Sequence, residues 1–193
     1  GLSLIPVLLG WPLLLLPVHV VFLELIIDPA CSVAFEAEPE ESGIMGRPPR
    51  NPKEPLLSGR TVLFSLLQGM MVLVIVLAIY GFALAQGRGE LDARALAFTT
   101  LMVANLGLIL TNRSWSATII ASLRSQNTAM LWIIVFTLVF LGVVIFVPFL
   151  RDQFHFQILH ANDLLLTFSA GVFSVLWFEA LKHFSRERNH VRP

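Results

Sequence analysis

Several long stretches of this 193-residue chain consist almost entirely of apolar side chains, which restricts the folds open to it more than any other feature. The clearest stretch, residues 62–86, contains no charged residue. A helix of about 20 apolar residues is long enough to cross the hydrocarbon core of a bilayer. Charged residues make up only 13% of the chain, roughly half the fraction typical of soluble domains. The sequence therefore predicts an integral membrane protein.

Six apolar segments can be marked, at residues 1–16, 18–36, 62–86, 95–111, 129–150 and 164–181. The first is short and interrupted by Pro6 and Pro12, so we interpret it as the truncated end of a longer helix. The segments are apolar on all faces, unlike surface helices of soluble proteins. They also lack the alternating polarity of transmembrane β-strands. We predict an all-α, polytopic transmembrane helix bundle of about six segments with no soluble domain.

Lysine and arginine residues are unevenly distributed between the two ends of these segments. Cytoplasmic loops carry an excess of these residues, so the richer side is predicted to be cytoplasmic. This assignment places both termini, the loop 37–60 and the tail 182–193 in the cytoplasm, and we expect the bundle to lie in the plasma membrane. If each segment crosses once, the richer side holds Arg47, Arg50, Lys53, Arg60, Arg113, Arg124, Lys182, Arg186, Arg188 and Arg192, and the other side holds Arg88, Arg94 and Arg151.

The second segment contains two carboxylates, Glu24 and Asp28, within apolar sequence. An ionisable residue at membrane depth costs about 3 kcal/mol on insertion scales, so it usually has a function. The i, i+4 spacing places both carboxylates on one face of a helix, where they repel unless a cation or proton is shared. Pro29 disfavours helical geometry at Asp28, which predicts an opened turn with free carbonyl oxygens. The pair therefore predicts a site for a hard cation or a proton.

Each of these polar residues also has a purely structural interpretation. Glu24 and Asp28 would then hydrogen-bond to a neighbouring helix and stabilise packing. Gln68 and Asn105 either complete an oxygen-rich cavity or form hydrogen bonds between helices. His19 is expected at the outer membrane interface rather than as a ligand.

Two further groups of residues carry structural expectations. Gly69 and Gly107 lack side chains, so they permit close contacts between helices. Phe154, Phe156 and Ile158 are expected to rest in the outer interface of the membrane.

Several function classes are not supported by the sequence. It contains no Gly-rich phosphate loop, no nucleophile–base pattern and no zinc-ligand spacing. Cys31 is the single cysteine, so no disulfide within the chain is possible. The net charge of zero argues against a nucleic-acid partner. This chain alone is not expected to hydrolyse ATP.

Residues 17–59 resemble the P-type cation-transporting ATPases, most closely the calcium-pump-like branch. The string PVHVVFLELIID at 17–28 is similar to the family's sixth transmembrane helix. The strings IMGRPPR at 44–50 and PKEPL at 52–56 are similar to the cytoplasmic loop that follows it. The resemblance implies that segment one is the end of helix five and that segments two to six are helices six to ten. It also implies that Glu24 and Asp28 coordinate the transported ion.

Two positions depart from the family pattern. Ile27 stands where calcium pumps have a threonine ligand, and Met102 stands where an acidic residue of helix eight is expected. These departures weaken a two-calcium site and leave room for one cation. The resemblance further implies that the loop couples the membrane helices to the phosphorylation domain through Arg47, Pro48, Pro49, Arg50, Lys53 and Glu54.

The resemblance also implies partners outside this chain. The phosphorylation, nucleotide-binding and actuator domains and the earlier membrane helices belong to other parts of such a pump. Mg²⁺ and ATP are cofactors of the whole pump, and none is expected in this chain. Calcium is the first candidate for the transported cation, with magnesium, sodium, manganese and protons open. The alternative is a stand-alone channel or accessory transport subunit in the lipid bilayer, without ATPase activity.

The two alternatives differ in what the encoding gene contains. For a pump, the reading frame upstream of Gly1 is expected to encode an Asp-Lys-Thr-Gly phosphorylation motif. Sequencing that region checks this expectation, and a complete reading frame without the motif would contradict the pump interpretation.

Overall fold

The computed structural model describes residues 1–37, 46, 59–112 and 128–190, with the backbone alone at 28–31, 34, 35, 60, 61 and 178–190. No strand occurs in these ranges, which agrees with the predicted all-α class. The helices are α1 (Leu4–Leu8), α2 (Pro17–Glu36), α3 (Gly59–Ala85), α4 (Glu90–Asn112), α5 (Thr128–Phe146), α6 (Pro148–Gln153) and α7 (Ala161–His190).

Helix α4 lies at the centre of the bundle. It packs most extensively against α7 and α3, which also contact each other. Helices α2 and α5 pair with each other, and each also touches α4. The described chain therefore forms two groups of helices, α3–α4–α7 and α2–α5, joined through α4.

Small side chains explain the central position of α4. An added Cβ at Gly107 of α4 would lie 2.5 Å from Cγ2 of Val175 on α7. Reciprocally, a Cβ at Gly171 of α7 would lie 2.6 Å from Cγ1 of Val103 on α4. Residues without a large side chain let helix backbones approach closely. Further fully buried small residues of α4 are Ala93, Ala95, Ala97 and Ala104.

The two glycines expected to mark close contacts behave differently. The close contact predicted at Gly107 is confirmed by Val175. No described atom lies within 4 Å of a Cβ added at Gly69, so the described residues make no close contact there.

Helices α1, α3 and α6 end with the same backbone motif. The second residue after each helix has a positive φ, which is 67° at Gly10, 73° at Gly87 and 52° at His155. Its amide donates to the carbonyl three residues back, and the next amide donates to the carbonyl five residues back. This is the Schellman motif, which glycine adopts without strain. At His155 the left-handed conformation costs about 1 kcal/mol, so other contacts must hold it.

The observed helices differ from the predicted segments mainly at their ends. Helix α4 begins before residue 95, so Arg94 lies within the helix rather than in a loop. Helix α5 ends before Pro148, which begins the separate helix α6 because proline lacks an amide hydrogen. Helix α7 continues through much of the predicted tail. Residues 1–16 contain the five-residue helix α1 and an irregular stretch instead of one helix.

Three stretches of the described chain are long and apolar enough to cross a membrane, namely Val62–Ala85, Glu90–Asn112 and Thr128–Phe146. Shorter apolar stretches, Pro17–Ile27 and Ala161–Trp177, lie in α2 and α7. The protein is therefore an integral membrane helix bundle. Six crossings and the orientation of the termini remain predictions.

The close approach of α4 and α7 is expected to make Gly171→Ala destabilising. The added Cβ would also lie 3.2 Å from the amide nitrogen of Ala104, so the helices must separate. We expect the free energy of unfolding to fall by about 1–3 kcal/mol.

Thermal unfolding of the full-length protein in detergent checks this expectation. Gly142→Ala is the control, because no described atom lies within 4 Å of its added Cβ. Alanine favours a helix over glycine by up to about 1 kcal/mol, so this variant is expected to be neutral or stabilised. Equal losses in both variants would contradict the close-packing explanation.

Candidate cation-binding site

Helix α2 has a buried side and an outer side. Phe22 and Ile26 are buried, and the ring centroid of Phe22 lies 5.8 Å from that of Phe98 of α4. Glu24 lies on the outer side, where its neighbour Leu25 is 70% exposed. The carboxylate predicted to bind a cation thus lies on the outer surface of the described bundle, away from the aromatic packing.

The turn predicted to open at Pro29 remains helical, because α2 continues from Pro17 to Glu36. That prediction is therefore wrong in its backbone geometry. Pro29 still lacks an amide hydrogen, so it cannot donate to the carbonyl of Leu25 four residues earlier. One carbonyl oxygen next to Glu24 is therefore released from the helical hydrogen-bond pattern.

Several predicted site residues lie outside the described part of the chain. Asp28 belongs to α2, one turn after Glu24, but its side chain is among those not described. The predicted coupling residues also lie outside the described ranges, and they are Arg47, Pro48, Pro49, Arg50, Lys53 and Glu54.

The two candidate accessory amides lie in different places. Gln68 is buried, and its Nε2 donates to Oδ1 of Asn112 at 3.3 Å. This hydrogen bond joins α3 to α4, as the structural interpretation of Gln68 expects. Asn105 instead lines a small cavity between α2 and α4 together with Ile27 and Met102. Of the two amides, Asn105 is therefore the one that faces α2.

Among the described residues, no group of three or more His, Cys, Asp and Glu side chains is placed to hold a metal ion. The described surface around Glu24 therefore offers one carboxylate and one released carbonyl. Calcium takes six to eight oxygen ligands, so these two groups alone would not complete a calcium site.

His19 is fully buried, so its expected position in the membrane interface is wrong. Its Nδ1 accepts a hydrogen bond from the amide of Leu16 at 3.0 Å, and its Nε2 lies 2.8 Å from the carbonyl oxygen of Phe154. A ring nitrogen facing a carbonyl must donate, so the proton lies on Nε2. The imidazole ring also stacks on the ring of Phe156, with 5.0 Å between the two ring centroids. Both nitrogens are engaged, which leaves neither free for a metal.

The aromatic residues after α6 are also buried rather than interfacial. Phe154 is 6% and Phe156 is 2% exposed, whereas Ile158 is 45% exposed. The expected interface position is therefore wrong for the two phenylalanines. Both rings pack on His19 and Phe98, so the connection before α7 is folded onto the end of the bundle.

Arg94 is a buried cation that the sequence did not identify as a structural residue. Its Nε and Nη2 donate to the carbonyl of Leu13 at 3.1 and 2.9 Å, and its Nη1 donates to the carbonyl of His155 at 3.3 Å. Its Nη2 also lies 3.9 Å from the carboxylate of Glu90. The guanidinium therefore holds the α1–α2 and α6–α7 connections against α4. The one sequence signal was its position four residues after Glu90, a spacing typical of a helix.

A second ion pair joins α7 to the turn between α3 and α4. Asp163 precedes the apolar residues 164–181, and its Oδ1 accepts a hydrogen bond from Nη1 of Arg88 at 2.7 Å. Its Oδ2 accepts one from the amide of His160 at 3.1 Å. Burial alone raises the pKa of Asp163, but these hydrogen bonds and the charge of Arg88 outweigh it. The pKa of this carboxyl therefore lies below its ordinary value.

Comparisons with known proteins agree with this architecture. The family model described as "Cation transporting ATPase, C-terminus" matches residues 12–184. The "Probable cation-transporting ATPase F" of Mycobacterium tuberculosis (strain ATCC 25618 / H37Rv) is 30% identical over 105 residues, covering 54% of this chain and 12% of that protein. The "Calcium-transporting ATPase" of Bacillus subtilis (strain 168) is 26% identical over 166 residues, covering 84% of this chain and 18% of that protein.

The fold defines an integral membrane helix bundle, and an ionisable residue such as Glu24 in an apolar helix of such a bundle often marks a functional site. Within that class, this chain belongs to the cation-transporting ATPase family and corresponds to its C-terminal region. This finding confirms the resemblance to the P-type pumps. The chain spans less than a fifth of the length of the two relatives described above.

The lowered pKa of Asp163 predicts how its ion pair responds to acid. A carboxylate with a lowered folded-state pKa stabilises the protein above its unfolded value of about 4. This contribution is lost as the pH falls through the folded-state pKa. Asp163→Asn is therefore expected to reduce the loss of thermal stability between about pH 6 and about pH 3.

The melting temperature of the full-length protein across this range checks the expectation. Asp152→Asn is the control, because Asp152 is exposed and shows no ion pair among the described residues. An unchanged acid profile in Asp163→Asn would contradict the assigned role.

Proposed function

We propose that this chain is the C-terminal membrane domain of an ATP-driven P-type cation pump, in which Glu24 and Asp28 of α2 bind the transported cation. The observation that carries the proposal is the position of Glu24 on the outer, apolar side of α2. A carboxylate facing lipid costs about 3 kcal/mol, so a functional membrane protein would cover it. The earlier helices of the same pump are the segments proposed to do so.

The chemistry near Glu24 favours a hard cation. Carboxylate and carbonyl oxygens are the ligands that calcium and magnesium prefer. Glu24 supplies a carboxylate, Pro29 releases the carbonyl of Leu25, and Asp28 follows one turn later in α2. We propose calcium as the first candidate, with magnesium, sodium, manganese and protons to be tested beside it.

The side of α2 that faces α4, away from Glu24, favours a single cation site. Ile26 and Ile27 face Met102 of α4 across a cavity of only about 10 Å³. These side chains offer no charged oxygen, so a second cation there would lose its hydration without compensation. The cation is therefore proposed to bind on the Glu24 side alone.

Transport requires the site to release what it binds. Two carboxylates one turn apart repel in a low dielectric, and either a cation or protons relieve this repulsion. We propose that Glu24 and Asp28 bind the cation in one state and take up protons in the other. ATP and Mg²⁺ would act in the cytoplasmic domains of the whole pump. The loop containing Arg47 and Arg50 is proposed to transmit that change to α2, with both termini cytoplasmic and the pump in the plasma membrane.

Cation-stimulated ATPase activity of the full-length protein tests the proposal. A panel of calcium, magnesium, manganese and sodium is expected to include one cation that stimulates hydrolysis. Asp28→Asn is expected to raise the half-maximal concentration of that cation at least about tenfold, because a lost ligand charge costs more than about 1.4 kcal/mol. Glu24→Gln is expected to act in the same direction.

Glu36→Gln is the matched control, because it makes the same chemical change near the end of the same helix. Its exposed side chain accepts a hydrogen bond from Ser32, and it is expected to leave cation stimulation unchanged. Unaltered stimulation in Asp28→Asn would refute the site assignment. An absence of ATP hydrolysis with every cation, together with cation flux in liposomes, would favour the channel alternative.

A further inference from the structure

Thr137 of α5 has an unusual environment for a hydroxyl inside a helix bundle. It is 1% exposed, and its Oγ1 has no hydrogen-bond partner among the described residues. Threonine and serine in helices commonly bond to a carbonyl one turn back in their own helix. The hydroxyls that do so here are those of Thr100, Thr111, Thr167, Ser169 and Ser174.

The Thr137 side chain lines the small cavity where α2, α4 and α5 meet. The cavity has a volume of about 10 Å³, and its lining includes Asn105, Ile27 and Met102. A buried water needs a volume of about 10–15 Å³ and two to four polar partners. The cavity is therefore of the size of one water molecule, and it brings a hydroxyl and a carboxamide to the same place.

We propose that this cavity binds one water molecule, hydrogen-bonded to the Thr137 hydroxyl and the Asn105 carboxamide. The water joins α5 to α4 in a cavity that is also lined by Ile27, the residue that precedes Asp28. A hydroxyl buried without a partner is destabilising, whereas a bound water satisfies it. Thr137 and Asn105 are thereby linked beside Ile26 and Ile27 of α2, whereas Glu24 lies on the outer side of that helix.

The lining favours water over a cation. Among its members, Asn105 and Thr137 supply the polar groups, and neither carries a charge. A cation taken from water into a neutral, mostly apolar cavity loses hydration that these groups cannot replace. Thr137 also borders an apolar groove of about 410 Å³ between α2 and α5.

The bound water has a functional consequence that rests on the proposed pump function. Thr137 is a positioning residue, because the α4–α5 link made by the water supports the cavity wall next to Ile26 and Ile27 of the cation-binding helix. Loss of its hydroxyl is expected to raise the half-maximal cation concentration about threefold while the maximal ATPase rate stays unchanged, since ligands held less firmly lose affinity.

Thermal unfolding of the full-length protein without ATP tests the water site independently of pump activity. Thr137→Val keeps the side-chain shape and removes the hydroxyl, and it is expected to lower the melting temperature by about 1–3 °C. Thr137→Ser is expected to restore it. Thr99→Val is the control, because Thr99 is equally buried with an unpartnered hydroxyl but lines neither cavity. It is expected to leave the melting temperature unchanged or raised.

The double variant Thr137→Val with Asn105→Leu provides the second arm. If one water serves both side chains, the double variant is expected to be no less stable than Asn105→Leu alone, because loss of the Asn105 carboxamide already removes the water. Two results would overturn the proposal. One is a double variant whose loss of melting temperature equals the sum of the two single losses. The other is a Thr137→Val protein whose melting temperature changes no more than that of Thr99→Val. A stabilisation by sodium or potassium over choline that Thr137→Val removes would overturn it in favour of a cation. None of these stability measurements depends on ATP hydrolysis, so they test the water site even if the pump proposal fails.

Discussion

Glu24 brings a carboxylate into an apolar stretch of α2, and the cost of leaving this charge in lipid constrains how the bundle is used. The two sides of this helix differ in burial. Its inner side is aromatic and aliphatic, with Phe22 and Ile26 buried against the rest of the bundle. Its outer side leaves Glu24 exposed at the surface of the described bundle. This chain thus supplies only part of the proposed site. The packing that fixes α2 leaves the Glu24 carboxylate accessible.

One end of the bundle is fixed by polar contacts rather than by apolar packing alone. Arg94 binds the carbonyls of Leu13 and His155, and His19 binds the carbonyl of Phe154. These contacts hold two chain connections against α4, including the left-handed residue His155. A buried guanidinium that satisfies several carbonyls is strongly destabilising to remove, since those carbonyls would lose their donors. The start of α2 is therefore anchored one to two turns before Glu24.

The sequence predicted the membrane class because the length of an apolar segment is a local property, and it singled out Glu24 because a charge among apolar residues is conspicuous. It failed where the outcome depends on distant contacts. Phe154 and His19 appeared interfacial from their positions, but the connection after α6 folds back and buries both. The partner of Gln68, Asn112, lies 44 residues away, and no spacing rule connects them. Thr137 was missed because one threonine in an apolar segment gives no local signal.

Equilibrium binding to the purified full-length protein in the absence of ATP tests whether Glu24 and Asp28 hold the transported ion. The ligand is the radioactive form of whichever divalent cation stimulates the enzyme. We expect about one cation bound per protein, competition by protons, and loss of binding in the double variant Glu24→Gln with Asp28→Asn. Binding that survives in this double variant at unchanged affinity would contradict the claim that the α2 carboxylates hold the transported ion.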